Sequence, residues 1–510
     1  MMPISHARDR SMITAGLGGV ERHGSVALAE GARLLGVCQQ ERVTRVRNAG
    51  FNSSGLPDEA LDLLLQCQGR SRDDVGRYVV AGAECRRQAD DRFEHVDHHL
   101  AHASTAYLSS PFSSATIVVC DGEAPKVSIW SGQGGTVTRV DWPWSGPGFT
   151  DMYSRFARAM GFHAPAGEQR FEALARLAPD SRDSRVSGVV TAGDDALHVR
   201  VDLESSIESG RAQSSTETTP RGAALAAALQ AELGDAFIQF LTKVRARTSS
   251  PNLCLAGSFF YHSSINTLTK RAGLFDEVFV PVDPGDAGLA VGAALHATGG
   301  GPQFLSPFAG PSYATQVIKE TLDNCKLQYE WQSEEEAIHT AVRALRQHTL
   351  VAWFDGAMEW GPRALGARCI LANPFAPYVL ENLNHFLKRR EPWRGYAISG
   401  LEGAVAQHFD GPARTPFMEG DYRPRDPRQF ANALPAPGAA IRVQTVGAEA
   451  PPRFKRLLTM FGEATGLPFL VNTSFNGFHE PIVCSPRDAV RVFYGSGIDV
   501  LVLDQFVLRK

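Results

Sequence analysis

One order of elements is written twice in the N-terminal part of this chain. Ser11–Gly19, Ser25–Glu30 and Arg33–Gln40 read as three short strands separated by glycine-containing turns. A helix follows at Pro57–Gln66, with Ala60, Leu61, Leu64 and Leu65 on its apolar face, and then an apolar strand at Arg77–Ala81. Further on, Ala115–Cys120, Lys126–Trp130 and Thr136–Trp142 again read as three strands. Their helix is the amphipathic stretch Ala223–Val244, followed by a buried strand at Asn252–Ala256 and a Gly/Ala-rich helix at Ala287–Ala297. A sequence that repeats strand-strand-strand-helix-strand builds two like halves.

This pattern is the duplicated ribonuclease-H-type α/β fold of actin-like and sugar-kinase-like ATPases, which bind nucleotide between their halves. Gly299-Gly300-Gly301-Pro302-Gln303 and the Pro/Gly/Ser stretch up to Ser312 read as a linker. The expected organisation is an extension over 1–11 without pattern, an actin-like domain over 12–305 and a second α/β domain over 313–510. The second domain is expected to carry helices at Glu334–Gln347, Tyr378–Lys388 and Arg453–Glu463, with strands at Leu350–Phe354 and Val500–Leu503. Ser205–Thr219, rich in Ser, Thr and Glu, reads as a surface loop.

Composition narrows the function. The chain has 510 residues, 43% hydrophobic and 21% charged, enough for two large cores without staples. A formal net charge of −4 excludes a dominant polybasic surface for nucleic acid or membrane. The eight cysteines form no CxxC pair, and Cys120 and Cys254 sit in apolar runs, as buried thiols of a reducing compartment do. A cytoplasmic protein is expected, and a homodimer is the commonest oligomer of such enzymes.

Chemistry concentrates in a few segments. In Asp97-His98-His99-Leu100-Ala101-His102, His98 and His102 stand four apart and share one helix face, as two imidazole ligands of one metal must. His99 points elsewhere. Asp121 ends an apolar strand and precedes Gly122, where α/β ATPase folds place a cation-holding carboxylate, and Asp286 lies at a loop-to-helix junction. A His2Asp2 set suits Fe2+, Mn2+ or Zn2+ better than Ca2+. A packed histidine pair and turn-capping carboxylates are the bland alternative. Gly257, Gly285 and Gly288 follow strands and allow close backbone approach to phosphate. In the second domain, Gly361–Gly366, Lys388–Arg394, Arg442–Thr445 and Asn472–Asn476 offer arginine forks and amides for phosphate and a small acyl group. The cluster near Lys388 reads equally as a solvated helix end.

Together these stretches resemble the bacterial O-carbamoyltransferases of the NodU/CmcH type. The match runs in family order through Asp97–Ala106, Val118–Gly122, Leu255–Asn266, Phe279–Leu295, Gly356–Pro374, Asn384–Ala397 and Pro468–Ala489. The resemblance implies an N-terminal actin-like (ASKHA) domain and a C-terminal YrdC-like domain. It implies that carbamoyl phosphate and ATP, with Mg2+, give carbamoyl-adenylate, from which the carbamoyl group passes to the hydroxyl of a small-molecule acceptor such as an antibiotic precursor. His98, His102, Asp121 and Asp286 fall on the metal positions, commonly iron. Gly257, Asn266, Gly285, Gly288, Arg363, Arg390, Arg442, Asn472 and Ser474 fall on nucleotide and carbamoyl phosphate positions. His23, Arg47 and Lys388 are the catalytic candidates, His23 as general base or as a positioning group. The acceptor pocket is expected in the loops Trp142–Ala166 and Ser205–Thr219.

The chain departs from the family in four places. Ala436-Pro437-Gly438-Ala439 stands where the family has His-x-Asp-Gly, and Gln169–Ala175 where it has Gly-Lys-x-Met-Gly-Leu-Ala. Arg47 replaces a Lys, and His262 an Asn. These changes bear on the carbamoyl phosphate step more than on transfer. The competing readings are a degenerate member that binds nucleotide or a partner without turnover, and an actin-like small-molecule kinase.

Overall fold

Thr14, Ala15, Gly16 and Leu17 pair in parallel with Arg77–Val80 and antiparallel with Val26–Ala29, the first sign that the repeated order folds as two sheets. The protein is described here as a computed structural model covering residues 12–82, 91–212 and 220–510. The expected extension over 1–11, Cys85 and the end of the 205–219 segment lie outside the described residues. The first sheet comprises β1 (Ile13–Gly18), β2 (Ser25–Glu30), β3 (Arg33–Gln39), β4 (Val75–Ala81) and β5 (Phe93–Val96), in the order β3-β2-β1-β4-β5. The second comprises β6 (Ser114–Cys120), β7 (Val127–Gln133), β8 (Thr136–Val140), β11 (Asn252–Ala256) and β12 (Glu277–Phe279). A small hairpin, β9 (Val190–Ala192) and β10 (Leu197–Val199), lies between them in sequence. Read from β8, the second sheet runs β8-β7-β6-β11-β12, the same order as the first. The N-terminal part is therefore a duplicated, actin-like α/β fold.

Among the described residues, the α-helices of this part are α1 (Gln40–Thr44), α2 (Asp58–Cys67), α3 (His98–Leu108), α4 (Phe149–Ala159), α5 (Gly167–Ala175), α6 (Leu203–Ala212), α7 (Pro220–Arg247), α8 (Ser263–Arg271) and α9 (Leu289–Thr298). Two of them correct the expected acceptor loops. Gly148 opens α4 inside Trp142–Ala166, and its Phe149, Met152, Tyr153 and Phe156 are buried at helical spacing. The polar segment begins inside α6, whose Leu203 and Ile207 are buried. Phe149 packs edge-on against Phe237 of α7 at 5.1 Å and lies near Phe259 at 5.5 Å. Each such buried ring contributes about 2–3 kcal/mol. In α7, Gly222–Arg247 is long and apolar enough in composition to cross a membrane, but Leu229, Leu233, Phe237, Phe240 and Leu241 are spent on this core.

At α3 and α9 the two halves meet backbone to backbone. A Cβ on Gly292 would lie 2.0 Å from the Ala101 carbonyl oxygen, and one on Gly16 2.1 Å from that of Ala290. Small residues there let α9 wedge between α3 and β1. The stretch Gly299–Ser312 is irregular, as expected of a linker, but it is fastened rather than free. Gln303 N donates to Leu108 O at 3.0 Å, Val37 N to Ala309 O at 2.9 Å, and Gly310 N to Met358 O at 2.9 Å.

The C-terminal part is built on a ten-stranded sheet. Its strands are β13 (Glu330–Trp331), β14 (Val351–Phe354), β15 (Arg368–Ala372), β16 (Ala397–Leu401), β17 (Phe409–Asp410), β18 (Asp421–Pro424), β19 (Ile441–Val446), β20 (Phe469–Ser474), β21 (Val500–Leu503) and β22 (Phe506–Arg509). The order β13-β22-β21-β14-β15-β20-β16-β19-β18-β17 puts β15, β20, β16 and β19 side by side. The sequence segments Gly361–Gly366, Asn472–Asn476 and Arg442–Thr445 are thereby neighbours in space. The helix at Glu334–Arg346 starts where Ser333 and Glu336 cap each other, and its acidic first turn and Arg343 and Arg346 in its last turn suit the helix dipole. The helix expected over Tyr378–Lys388 is one short turn, Val379–Glu381, followed by a π-helical turn, Asn382–Leu387. The wider turn directs Lys388 N back to Leu383 O at 2.8 Å.

Candidate metal and anion site

The Asp97 side chain accepts from Leu100 N at 2.8 Å and so fixes the first turn of α3. That start places His98 and His102 one turn apart on a face directed at the end of β6. Asp121 follows β6 and is held by Ser258, whose N and Oγ donate to its Oδ1 at 2.9 and 2.7 Å. Asp286 opens the short turn before α9. The four side chains converge: one ligand atom from each of His98, His102, Asp121 and Asp286 lies within 4.8 Å of the others. His98 Nε2 is 3.2 Å from Asp121 Oδ2 and 3.1 Å from His102 Nε2. Asp286 Oδ1 lies 3.9 Å from His98 Nε2 and 3.8 Å from His102 Nε2. His99, as expected, turns away, with Nδ1 2.6 Å from Ser128 Oγ.

Burial dominates the charge states. It pushes the His102 imidazole down to about 3, so that ring is neutral and keeps a lone pair on offer. Burial also raises the Asp286 carboxyl, with the help of Asp121, to about 7. Burial works against Asp121 as well, but the His98 hydrogen bond, His102 and Ser258 prevail and hold its carboxyl well below the usual range. A charged carboxylate, a neutral imidazole and two further nitrogen and oxygen donors suit a divalent transition metal.

The Arg363 loop lies against the same region. Glu359 Oε1 accepts from Leu365 N at 2.7 Å, Ala367 N at 3.2 Å and Arg368 N at 3.1 Å, and so shapes the loop. Asn472 Nδ2 ties the loop to the sheet, donating to Ala364 O at 3.0 Å and Ser399 Oγ at 2.9 Å. Gly361 has φ +88, and a Cβ there would meet Val282 O at 2.9 Å, one residue before Asp283 and four before Asp286. The Arg363 guanidinium has no hydrogen bond or ion pair with any described residue. Burial, with Arg442 nearby, pushes it down to about 9, the behaviour of a cation lacking its anion.

Arg442 reaches the N-terminal part. One amino group donates to Glu172 Oε2 at 2.7 Å and to Tyr261 O at 3.3 Å, while Nε is buried without a partner. Arg176 donates through Nε to both Asp421 oxygens, at 3.1 and 2.9 Å, and also to Glu172. Arg390 lies over the Tyr396 ring at 4.0 Å, with Nε donating to Asn384 Oδ1 at 2.9 Å. Arg394, absent from the expected set, has Glu391 3.8 Å away, and burial with Arg390, Arg176 and Arg442 pushes it down to about 10. What marks it out, its burial among the other arginines, is visible only after folding.

Other expected residues have different tasks. Lys388 Nζ donates to Ser474 O at 2.7 Å, Asn476 O at 3.2 Å and Asn476 Oδ1 at 2.5 Å, so its three donors are spent on the 474–476 turn. Ser474 Oγ donates to Asn476 Oδ1 at 2.9 Å. Asn266 Nδ2 binds Phe260 O at 2.9 Å and Glu419 O at 3.0 Å, a structural tie. The glycines expected to cradle phosphate instead admit the protein's own atoms. A Cβ would lie 2.1 Å from Cys120 O at Gly257, 2.4 Å from the Tyr261 hydroxyl at Gly285, and 2.2 Å from Asp283 O at Gly288. Arg47 is exposed, 3.4 Å from His479 Nδ1, and is not brought to the quartet. His23 is half-buried at φ +61, and its charge bears on the Asp283 carboxyl.

Tyr261, which no sequence pattern singled out, touches both regions. Its hydroxyl donates to Asp283 Oδ1 at 2.5 Å, and its carbonyl accepts from Arg442. The turn it ends, Ser258–Tyr261, begins at the residue that holds Asp121.

A duplicated actin-like fold carries a His2Asp2 cluster that one turn, Ser258–Tyr261, joins to arginines of the C-terminal part. The sequence comparisons give the particular family. The carbamoyltransferase N-terminus family model matches residues 75–295, and the carbamoyltransferase C-terminus model matches residues 342–510. The chain is 29% identical over 477 residues to the uncharacterized protein sll1178 of Synechocystis sp., covering 81% of this chain and 76% of that one. It is 32% identical over 297 residues to nodulation protein NolO of Bradyrhizobium diazoefficiens, covering 56% of this chain and 54% of the relative. Nodulation protein NolNO of Sinorhizobium fredii is 25% identical over 550 residues, covering 96% of this chain and 79% of its own length. The chain belongs to the carbamoyltransferase family of the NodU/CmcH type, and is an enzyme of that class.

Proposed function

We propose that this protein is an ATP-dependent O-carbamoyltransferase acting on a small-molecule hydroxyl. Water cleaves carbamoyl phosphate to carbamate and phosphate, and a carbamate oxygen then attacks the α-phosphorus of ATP, expelling pyrophosphate and leaving carbamoyl-adenylate. The acceptor hydroxyl then displaces AMP. We assign the first stage to the C-terminal, YrdC-like part (313–510) and the transfer to the actin-like part (12–305).

The side chains support a division of labour. Arg363, Arg394 and the free edge of Arg442 offer charge-assisted hydrogen bonds to the phosphoryl oxygens. Asn472 keeps the Arg363 loop at the height of the sheet edge, and Lys388 stiffens the 474–476 turn beneath it. His98, His102, Asp121 and Asp286 would hold Fe2+ or another divalent transition metal. When bound, such a metal supplies Lewis-acid stabilisation for charge that develops on the transferred group. His23 is the candidate to take the acceptor's proton, a role that requires its neutral imidazole.

The observation that carries this reading is the contact of the two regions through Tyr261. A kinase on the same fold has no need of a second arginine-lined pocket against its cation site. Incubating the full chain with ATP, carbamoyl phosphate, Mg2+ and Fe2+ should yield carbamoyl-adenylate by mass spectrometry. A panel of hydroxyl acceptors should then yield a carbamate and AMP. Absence of both products overturns the reading.

A further inference from the structure

Three of the four departures from the family pattern meet at one place. Glu172 and Arg176 lie on α5 or its end, His262 precedes α8, and the 436–439 segment leads into β19, with Ala440 N donating to Arg176 O at 2.9 Å. In sequence these positions are far apart. In the structure they surround Arg442.

Glu172 is 1% exposed and fully used. Its Oε1 accepts from Ser263 N at 3.0 Å, Ser263 Oγ at 3.3 Å and Arg176, and its Oε2 accepts from Arg442 at 2.7 Å. His262 Nδ1 stands 3.7 Å from the same Oε2, and its ring is stacked on Tyr153 with centroids 3.6 Å apart. Tyr153 is in turn fixed, its hydroxyl donating to Gln230 Oε1 at 2.7 Å. Ser263 and Arg176 hold one oxygen of Glu172, the stacked His262 stands behind the other with Nδ1 free of a hydrogen bond, and the carboxylate grips one amino group of Arg442 and leaves Nε unspent. Arg363, near enough to feel the charge of both Arg442 and Glu172, is unspent as well.

We propose that Glu172, backed by His262, is a positioning residue for the donor anion: it clamps one arm of Arg442 so that the rest of that guanidinium, with Arg363, faces the phosphoryl group. The inference rests on the proposed carbamoyl phosphate chemistry and adds to it a part played by the N-terminal half in binding the donor. A carboxylate this close to an anion site has two opposite possible effects. As a bare charge it repels the substrate, and its removal tightens binding. As a clamp it aligns the arginine, and its removal loosens binding even though the site becomes more positive.

The test is calorimetric binding of carbamoyl phosphate, and separately of inorganic phosphate, to the full chain without ATP. Each variant is held at a temperature where circular dichroism shows it folded. Glu172→Gln keeps the shape and loses the charge, and it should weaken binding about tenfold, the scale of a misaligned charge-assisted hydrogen bond. His262→Asn, which creates no buried orphan charge, should weaken it by a smaller factor. In an Arg442→Gln background, Glu172→Gln should change affinity less than about twofold, because the two act as one unit. Tighter or unchanged binding by Glu172→Gln overturns the proposal, as does an additive double variant. Wild-type protein that binds neither anion overturns the carbamoyl phosphate reading itself, and the clamp with it.

Discussion

His98 Nε2 and His102 Nε2 lie 3.1 Å apart, a separation at which two imidazoles share one proton or one cation. His102 is 1% exposed and neutral, and Asp121 beside it is ionised. The sequence spacing of four put the rings on one face, but the distance comes from the end of β6. Asp121 and Asp286 approach from opposite sides of the joint between α3 and α9. The pair is therefore preorganised.

Excess Mn2+ should raise the thermal unfolding midpoint of the full chain. A metal at about 100 times its dissociation constant adds about 2.7 kcal/mol when it binds only the folded state. His102→Ala and Asp121→Asn should each abolish the rise, as read by scanning calorimetry. An undiminished shift in both variants would place the metal elsewhere.

Arg363→Gln should lower affinity for carbamoyl phosphate by about 10–100-fold, since a hydrogen bond to a charged group is worth about 1.5–3 kcal/mol. The Mn2+ shift should survive, because Arg363 contributes nothing to the quartet. Titration calorimetry measures both on one preparation. Loss of the metal response with the anion response would merge the two sites.

Acid should expose the role of Glu172 in stability. Burial works against its charge, but Arg176, Arg442 and His262 prevail and hold the carboxyl well below the ordinary value of 4.5. A depressed folded-state value means that stabilisation is complete above the unfolded value of 4.5 and fades as pH falls through the lower folded value. Unfolding midpoints of wild type and Glu172→Gln should differ most near neutrality and converge below pH 4.5. A gap that widens on acidification would contradict this sign.

Gly285→Ala should cost about 1–3 kcal/mol, the usual penalty for overpacking. Its Cβ would lie 2.4 Å from the Tyr261 hydroxyl and push that group off Asp283. Urea unfolding gives the stability loss, and carbamate formation should fall with it. A variant as stable and active as wild type would remove Tyr261 from the link between the two regions.

Four strands of each five-stranded sheet were legible as short runs between turn residues, and β11 falls at Asn252–Ala256 as read, whereas the edge strands β5 and β12, four and three residues long, gave no readable pattern. The quartet was legible because His98 and His102 stand one helical turn apart while Asp121 and Asp286 sit at element ends. Helix α4 was not, since Trp142–Gly148 looks like loop and the helix starts only after Gly148. Helix α6 hid behind a polar composition, with Leu203 and Ile207 buried among its described side chains. Tyr261 carried no local signal, and Glu172 and Arg394 lay in noticed segments that did not mark them individually. Their significance lies in which charge has a partner and which does not, and pairs such as Glu172 with Arg442 are 270 residues apart. Arg47 shows the converse, a plausible charge that the turn before Asn48 leaves beside His479 at the surface.

The fit of Gly292 onto Ala101 and of Gly16 onto Ala290 has a mechanical consequence. Helices that touch through backbone atoms have no side chains to slide over, so the joint under the quartet behaves as a fixed post. Actin-like folds usually breathe between their halves. Here the clearance for a ligand to enter and leave has to open on the other flank, where charged side chains rather than close-packed backbone join the N-terminal half to the arginine pocket.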